Sequence, residues 1–260
     1  MNTLSNLLEK IQNAKTLDFG TIFGEAIELF KKTWLHGFLL QLFTILIMLP
    51  LIIIFYVPFL GLILAQQEGG YGNDQAIGNF FAGMSLLYIL VVFVGVFVLG
   101  AVSVALNAGF YRIIKKFDYN EQVTTSDFFH FVKVKYLTKF FMLMLISMLI
   151  AIPSALLCYI PLLYVIVPIS FFAIVMAFNP DLSVGEVVKV SFKLGTKKWG
   201  ITLGLLIVAS LLSQIVGMLL CGIGVLFTGA FPYHTTYLVY KNVIGFKDND
   251  DINQIGLIEE

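Results

Sequence analysis

Four uncharged stretches divide the chain: Thr33–Gln67, Gln75–Tyr111, Phe140–Pro180 and Trp199–Tyr240, of 35, 37, 41 and 42 residues. Each exceeds the roughly 20 apolar residues with which a helix crosses a hydrocarbon core. Polarity returns abruptly between them, most of all in "LSVGEVVKVSFKLGTKKWG" (Leu182–Gly200), which carries four lysines and a glutamate just before the last apolar stretch. Met1–Lys32 is polar and amphipathic, with no compact apolar run and no small-residue cleavage site, so the first stretch is read as a membrane span and not as a signal peptide. The pattern predicts an all-α polytopic membrane protein, a single integral membrane domain over residues 1–260.

Length sets the number of crossings. At about 1.5 Å per residue the two longest stretches would extend roughly 60 Å as single helices, twice the hydrocarbon thickness of about 30 Å. Each is read as a hairpin, and each carries a helix breaker near its middle: "CYIP" at Cys158–Pro161 and "CGIG" at Cys221–Gly224. The first two stretches lack such punctuation and are parted by the polar loop "QQEGGYGNDQ", so each counts as one crossing, with Pro50 and Pro58 as kinks. The expected total is six transmembrane helices. Charge agrees with that count, because six crossings put all sixteen Lys and Arg residues on one side and leave only Glu68 and Asp74 opposite. An excess of basic residues marks the cytoplasmic face. Both termini are then cytoplasmic, with residues 1–17 as the N-terminal segment and 248–260 as an acidic tail.

Three polar segments lead into spans 1, 3 and 5, and each opens on a helix-capping residue sixteen positions before an aromatic one: Asp18 and Trp34, Thr124 and Phe140, Ser183 and Trp199. Ser183 with Glu186 has capping-box spacing, as Thr124 with Asp127 has more loosely. In the first segment Phe19, Ile22, Phe23, Ala26, Ile27 and Phe30 keep helical spacing on one face, with Glu25, Glu28 and Lys32 on the other. In the third, Val184, Val187, Val188 and Phe192 line one side and Lys189, Lys193 and Lys197 form a row on another. The middle one has Phe129, Val132 and Tyr136 with Lys135 and Lys139. The expectation is three amphipathic interfacial helices on the inner leaflet, with Trp34 and Trp199 as headgroup-level anchors. A threefold repeat of in-plane helix plus two crossings competes with a plainer reading, in which any basic loop entering a span looks amphipathic.

Composition fits a bilayer protein: only 12% of residues are charged, against about 25% in a soluble domain. Two cysteines make no disulfide framework, and Cys158 and Cys221 both fall at outer hairpin turns, with two buried free thiols as the default and a bridge as the alternative. No charged residue lies at bilayer depth, which counts against a proton-coupled pump or ion channel. Gln41, Asn107 and His234 lie at similar distances from their basic anchors and are a candidate intramembrane polar layer, either as interhelical hydrogen bonds or as a pocket. Ser147, Gln214 and His36 are the other polar residues near the spans. Lys189, Lys193, Lys197 and Lys198, with Lys31 and Lys32, are the candidate contacts to anionic lipid headgroups. No GxSxG, HExxH, P-loop or dinucleotide motif occurs, and no segment outside the spans is long enough for a domain. No catalytic residue, metal site or cofactor is expected, and no nucleic-acid partner.

The segment "SVGEVVKVSFKLGTKKWG", the hairpin with "CGIGVLFTGAFP", the exit "YLVYKNVIGF" and the N-terminal "FGTIFGEAIELFKKTW" together resemble a group of uncharacterised bacterial inner-membrane proteins. That group includes the membrane domain fused to some glycerophosphodiester phosphodiesterases. The resemblance implies six helices, a bacterial inner membrane and a role in envelope or lipid homeostasis. It does not carry the enzyme's activity, because nothing here matches the soluble barrel with acidic metal ligands. The expected function is that of a non-enzymatic membrane protein whose basic helices engage lipid; the alternative is a transporter or permease subunit for a lipophilic or neutral solute.

Overall fold

The computed structural model describes residues 3–69, 78, 86–157 and 159–246, and every regular element among them is helical. In chain order these are α1 (Leu4–Gln12), α2 (Phe19–Gly69), α3 (Leu86–Asp118), a 3-10 turn (Thr125–Phe131), α4 (Val134–Leu156), α5 (Ile160–Ser170), α6 (Phe172–Phe178), α7 (Val184–Lys197), α8 (Trp199–Leu219), α9 (Val225–Thr228) and α10 (Phe231–Val243). Five of the described segments are long and apolar enough to cross a membrane: 19–64 in α2, all of α3, α4 and α8, and 160–178 across α5 and α6. Leu86, Leu149 and Leu219 are 81%, 73% and 78% exposed, and a surface this apolar needs lipid around it. The chain is an integral membrane protein.

Both expected hairpin turns occur. α4 ends at Leu156 and α5 starts at Ile160 with Pro161 in its first turn, where a missing N–H costs nothing. α8 gives way to α9 through Cys221 and Gly222, whose φ angles of 56° and 82° are left-handed. Cys221 is an exposed free thiol, not the buried one expected, and Cys158 lies outside the described residues, as do Asp74, Lys247 and the acidic tail.

The last expected crossing is not one helix. Residues 225–243 form α9 and α10, parted at Gly229–Ala230, and neither is long enough to span alone. Pro232 in the first turn of α10 has no N–H to continue the ladder.

The three segments expected to lie in the interface have three different structures. Residues 19–32 are the first turns of α2, a continuous helix of 51 residues, about 76 Å long at 1.5 Å per residue, that runs through Trp34, Pro50 and Pro58. Its apolar face meets protein: Ile22 and Ala26 are buried, and the rings of Phe23 and Phe30 lie 5.8 and 5.3 Å from that of Phe231 on α10. The middle segment is a short 3-10 turn, with Phe128 and Phe131 fully buried against α3 and Phe129 outward, followed by the first turns of α4, which hold Lys135, Tyr136 and Lys139. Gly109 of α3 makes room for it, since a Cβ there would sit 2.3 Å from the Phe128 carbonyl oxygen. Only the third is a separate helix, α7, and it too is covered. Val187, Val190 and Leu194 are fully buried, and Gly195 lies so close to Pro168 of α5 that a Cβ would come within 2.7 Å of its Cα. In the first and third segments the amphipathic pattern is real and the bundle covers its apolar face; in the middle one Phe129 of the expected face is exposed and Phe128 and Phe131 are buried instead. Of the threefold repeat, the caps recur in all three segments, while the elements that follow them differ in kind.

Those caps form as expected. The Thr21 N–H donates to Asp18 Oδ1 at 2.7 Å, the Thr124 N–H to Asp127 Oδ2 at 2.9 Å and the Ser183 N–H to Glu186 Oε2 at 2.8 Å. The donated bonds from Thr21 and Ser183 hold the Asp18 and Glu186 carboxyls below their ordinary pKa values.

Candidate functional site

The basic segments meet at one end of the bundle. Lys116 on α3 pairs with Asp127 of the 3-10 turn at 2.7 Å, and Lys241 on α10 pairs with Asp118 at 2.6 Å. The Tyr237 hydroxyl also donates to Asp118, at 2.7 Å. Lys139 at the start of α4 donates to the Pro180 and Leu182 carbonyls at 2.7 and 2.8 Å, which ties the beginning of one hairpin to its end. Burial raises the Asp127 pKa, but the Lys116 ammonium and the Thr124 bonds outweigh it, and the net shift is downward. These contacts lie within the protein and use lysines that sequence alone places on an exposed face.

Helix α1 completes this end. Thr3 caps it, Leu7 and Ile11 are buried, and it packs on α7. Lys198, between α7 and α8, is 8% exposed and donates to the carbonyls of Ala14 and Lys15, just past the C-terminus of α1. Burial, and then the neighbouring Lys197 charge, lowers its pKa. Lys198 is thereby set apart from the lysine row in which the sequence groups it.

The rest of the row has the opposite environment. Lys189, Lys193 and Lys197 are exposed and make no hydrogen bond or ion pair among the described residues. Between α1 and α7 lies a groove of about 470 Å³ lined by Leu8, Ile11, Gln12, Lys193, Thr196 and Lys197. It combines two ammonium groups with an apolar floor. Lys31 pairs with Glu28 at 2.7 Å, both well exposed, and Lys32 is exposed one position on. Such an exposed pair contributes about 0 to 1 kcal/mol and does not withhold Lys31 from other partners.

The expected polar layer divides in two. His234 is fully buried, its Nδ1 3.2 Å from the Ala230 and Phe231 carbonyl oxygens and its Nε2 2.5 Å from Thr33 Oγ1. Those carbonyls open α10 itself, so Nδ1 bonds back three and four positions along its own helix, while Nε2 meets a Thr33 hydroxyl that also lies 3.0 Å from the Leu29 carbonyl of α2. Gln41 sits beside Gly229, where a Cβ would come within 3.0 Å of its Nε2. Both residues therefore lie near the junction of α9 and α10, His234 joined across it to α2 through Thr33. Asn107 lies elsewhere, on a cavity of about 320 Å³ that Ser147, Ser170 and Tyr233 also line. Sequence reading missed Ser170 and Tyr233 here, and the α1 face. The spacing of Leu4, Leu7, Leu8 and Ile11 after Thr3 carries the signal for α1; nothing local marks the other two. Among the described residues, no three His, Cys, Asp or Glu side chains group closely enough to hold a metal ion.

The site thus defines an integral membrane protein with one strongly basic end, part of it tied internally and part left open. No protein-family model, curated protein or solved structure matches the chain.

Proposed function

We propose that the chain is a non-enzymatic, six-crossing protein of a bacterial inner membrane that engages anionic lipid headgroups at its cytoplasmic face. Lys189, Lys193 and Lys197 make the principal contact, with Lys31 and Lys32 flanking. One observation carries the reading: these α7 lysines are exposed beside an amphiphilic groove while other lysines at the same end are committed to carboxylates and carbonyls. Each lysine near an anionic surface adds about 1 kcal/mol of attraction, which fades over a Debye length of about 8 Å.

Six crossings are supported by the meeting of Lys139 with Pro180 and of Lys241 with Asp118, which returns both long apolar stretches to the basic end. α9 and α10 together would supply the sixth. The resemblance to bacterial inner-membrane proteins supports the same membrane, and a role in envelope or lipid homeostasis. A transport route through Gln41, Asn107 and His234 draws no support from a layer that divides between two places.

The test is the lipid that co-purifies with the full chain from mixed phosphatidylethanolamine and phosphatidylglycerol membranes. Lys189→Gln, Lys193→Gln and Lys197→Gln combined should lower phosphatidylglycerol per protein and leave phosphatidylethanolamine unchanged. Equal phosphatidylglycerol in parent and variant would refute the reading.

A further inference from the structure

A cavity of about 320 Å³ lies between α3, α4, α5 and α6, with Tyr233 of α10 on its wall, apart from the basic end. Its volume is at the lower end of the range for ligand pockets, about 300 to 1,000 Å³, and equals the liquid volume of about ten waters. Four polar side chains converge on it, and their hydrogen-bonding capacity can be counted. The Ser147 hydroxyl donates to the Leu143 carbonyl at 2.8 Å and that of Ser170 to the Val167 carbonyl at 2.7 Å. Each serine therefore offers only lone pairs to the cavity. The Asn107 carboxamide and the Tyr233 hydroxyl make no hydrogen bond among the described residues, so their donors and acceptors are open.

A second feature of the backbone coincides with the cavity. Between α5 and α6 the helical ladder is interrupted at Phe171, whose N–H turns to the Pro168 carbonyl at 3.2 Å. The Ser170 hydroxyl takes the Val167 carbonyl that a regular helix would have paired with that N–H. The residues on either side of the break, Ser170 and Phe172, line the cavity. Irregular backbone at membrane depth persists where it is buried or lines a polar cavity, and in membrane carriers such breaks mark binding sites.

We infer that this cavity binds an uncharged amphiphile with a hydroxyl or amide head and an alkyl chain. Such a head both donates to the serine lone pairs and accepts from Asn107 and Tyr233. An ionised head has no countercharge among the lining residues and would be costly at this depth. The remaining walls, including Leu143, Met144 and Phe172, are apolar and suit the chain, and Met144 can adapt to its shape.

The experiment uses full-length protein in nanodiscs and two photoreactive probes of equal chain length, a diazirine-bearing hexadecanol and the matching alkyl sulfonate, which stays charged. Crosslinks are mapped by mass spectrometry. The alcohol should label residues 104–107, 143–147 and 169–173 several-fold more than the sulfonate does. Tyr233→Phe and Asn107→Leu should each reduce that labelling about five- to tenfold, the value of one lost hydrogen bond. Tyr233→Phe keeps the ring contacts to Phe110 and Tyr111 at 5.9 and 5.6 Å, so it decides the matter even if Asn107→Leu does not fold. Equal labelling by the two probes, or labelling by the alcohol unchanged in the folded variants, would overturn the inference.

Discussion

Lys197 and Lys198 are neighbours in the chain with opposite surroundings. Lys197 is exposed on the groove beside α1, whereas Lys198 is 8% exposed and holds the carbonyls of Ala14 and Lys15. The same contrast runs across the basic end: Lys116, Lys139 and Lys241 bind groups of the protein itself, while Lys189 and Lys193 bind none among the described residues. Positive charge at this end of the bundle is therefore not one property. Part of it joins the ends of the helices, and part is left to the surroundings.

The largest expected effect comes from the internally tied group. Asp118→Ala removes the acceptor shared by Lys241 and Tyr237 and should cost about 2 kcal/mol in detergent unfolding. That is less than the 3 to 5 kcal/mol of a broken, fully buried pair, because the carboxylate keeps 18% exposure. An unchanged midpoint would mean that this network does not hold the end together. Of similar size is Gly109→Ala, whose methyl group would meet the backbone of Phe128 and not a movable side chain. Overpacking of this kind costs about 1 to 3 kcal/mol, and hydrogen exchange should show it first in residues 125–131.

Lys198→Gln should have a smaller effect of about 1 kcal/mol and release α1, so limited proteolysis should rise between Gln12 and Asp18 while bound lipid stays constant. A loss of phosphatidylglycerol in this variant would erase the distinction between Lys197 and Lys198. Asp127 adds a dependence on pH. Its folded pKa is depressed, so the stability it contributes is present above the unfolded carboxyl value near 3.9 and lost as pH falls through the folded one. The stability gap between parent and Asp127→Asn should therefore be constant at neutral pH and shrink below about pH 4; a gap independent of pH down to 2 would contradict the assignment.

Much of this was legible in the sequence because it is local. Asp18, Thr124 and Ser183 bond within three residues of themselves, and the breaks at 158–161 and 221–224 follow from Pro, Gly and backbone conformation. What amphipathic faces rest on was not legible, since Val187 and Leu194 fit a lipid surface and the side of α5 equally well. Nor could the sequence divide the lysines, because the partner of Lys198 lies 183 residues away at Lys15. Gln41 and His234, which the sequence groups by their spacing from basic anchors, do lie near the same junction at Gly229–Ala230, but that meeting depends on the packing of α9 and α10 against α2. Asn107 shares their spacing along the chain but lines the cavity between α3, α4, α5 and α6.

The most direct measurement is the acylation rate of each lysine in nanodiscs with and without phosphatidylglycerol, read by mass spectrometry. Lys189, Lys193 and Lys197 should react several-fold more slowly in the anionic discs and regain their rate in high salt, as screening shortens the Debye length. Lys198 should react slowly in both. If the three α7 lysines react equally fast in neutral and anionic discs while the protein stays folded, lipid engagement by this helix is contradicted.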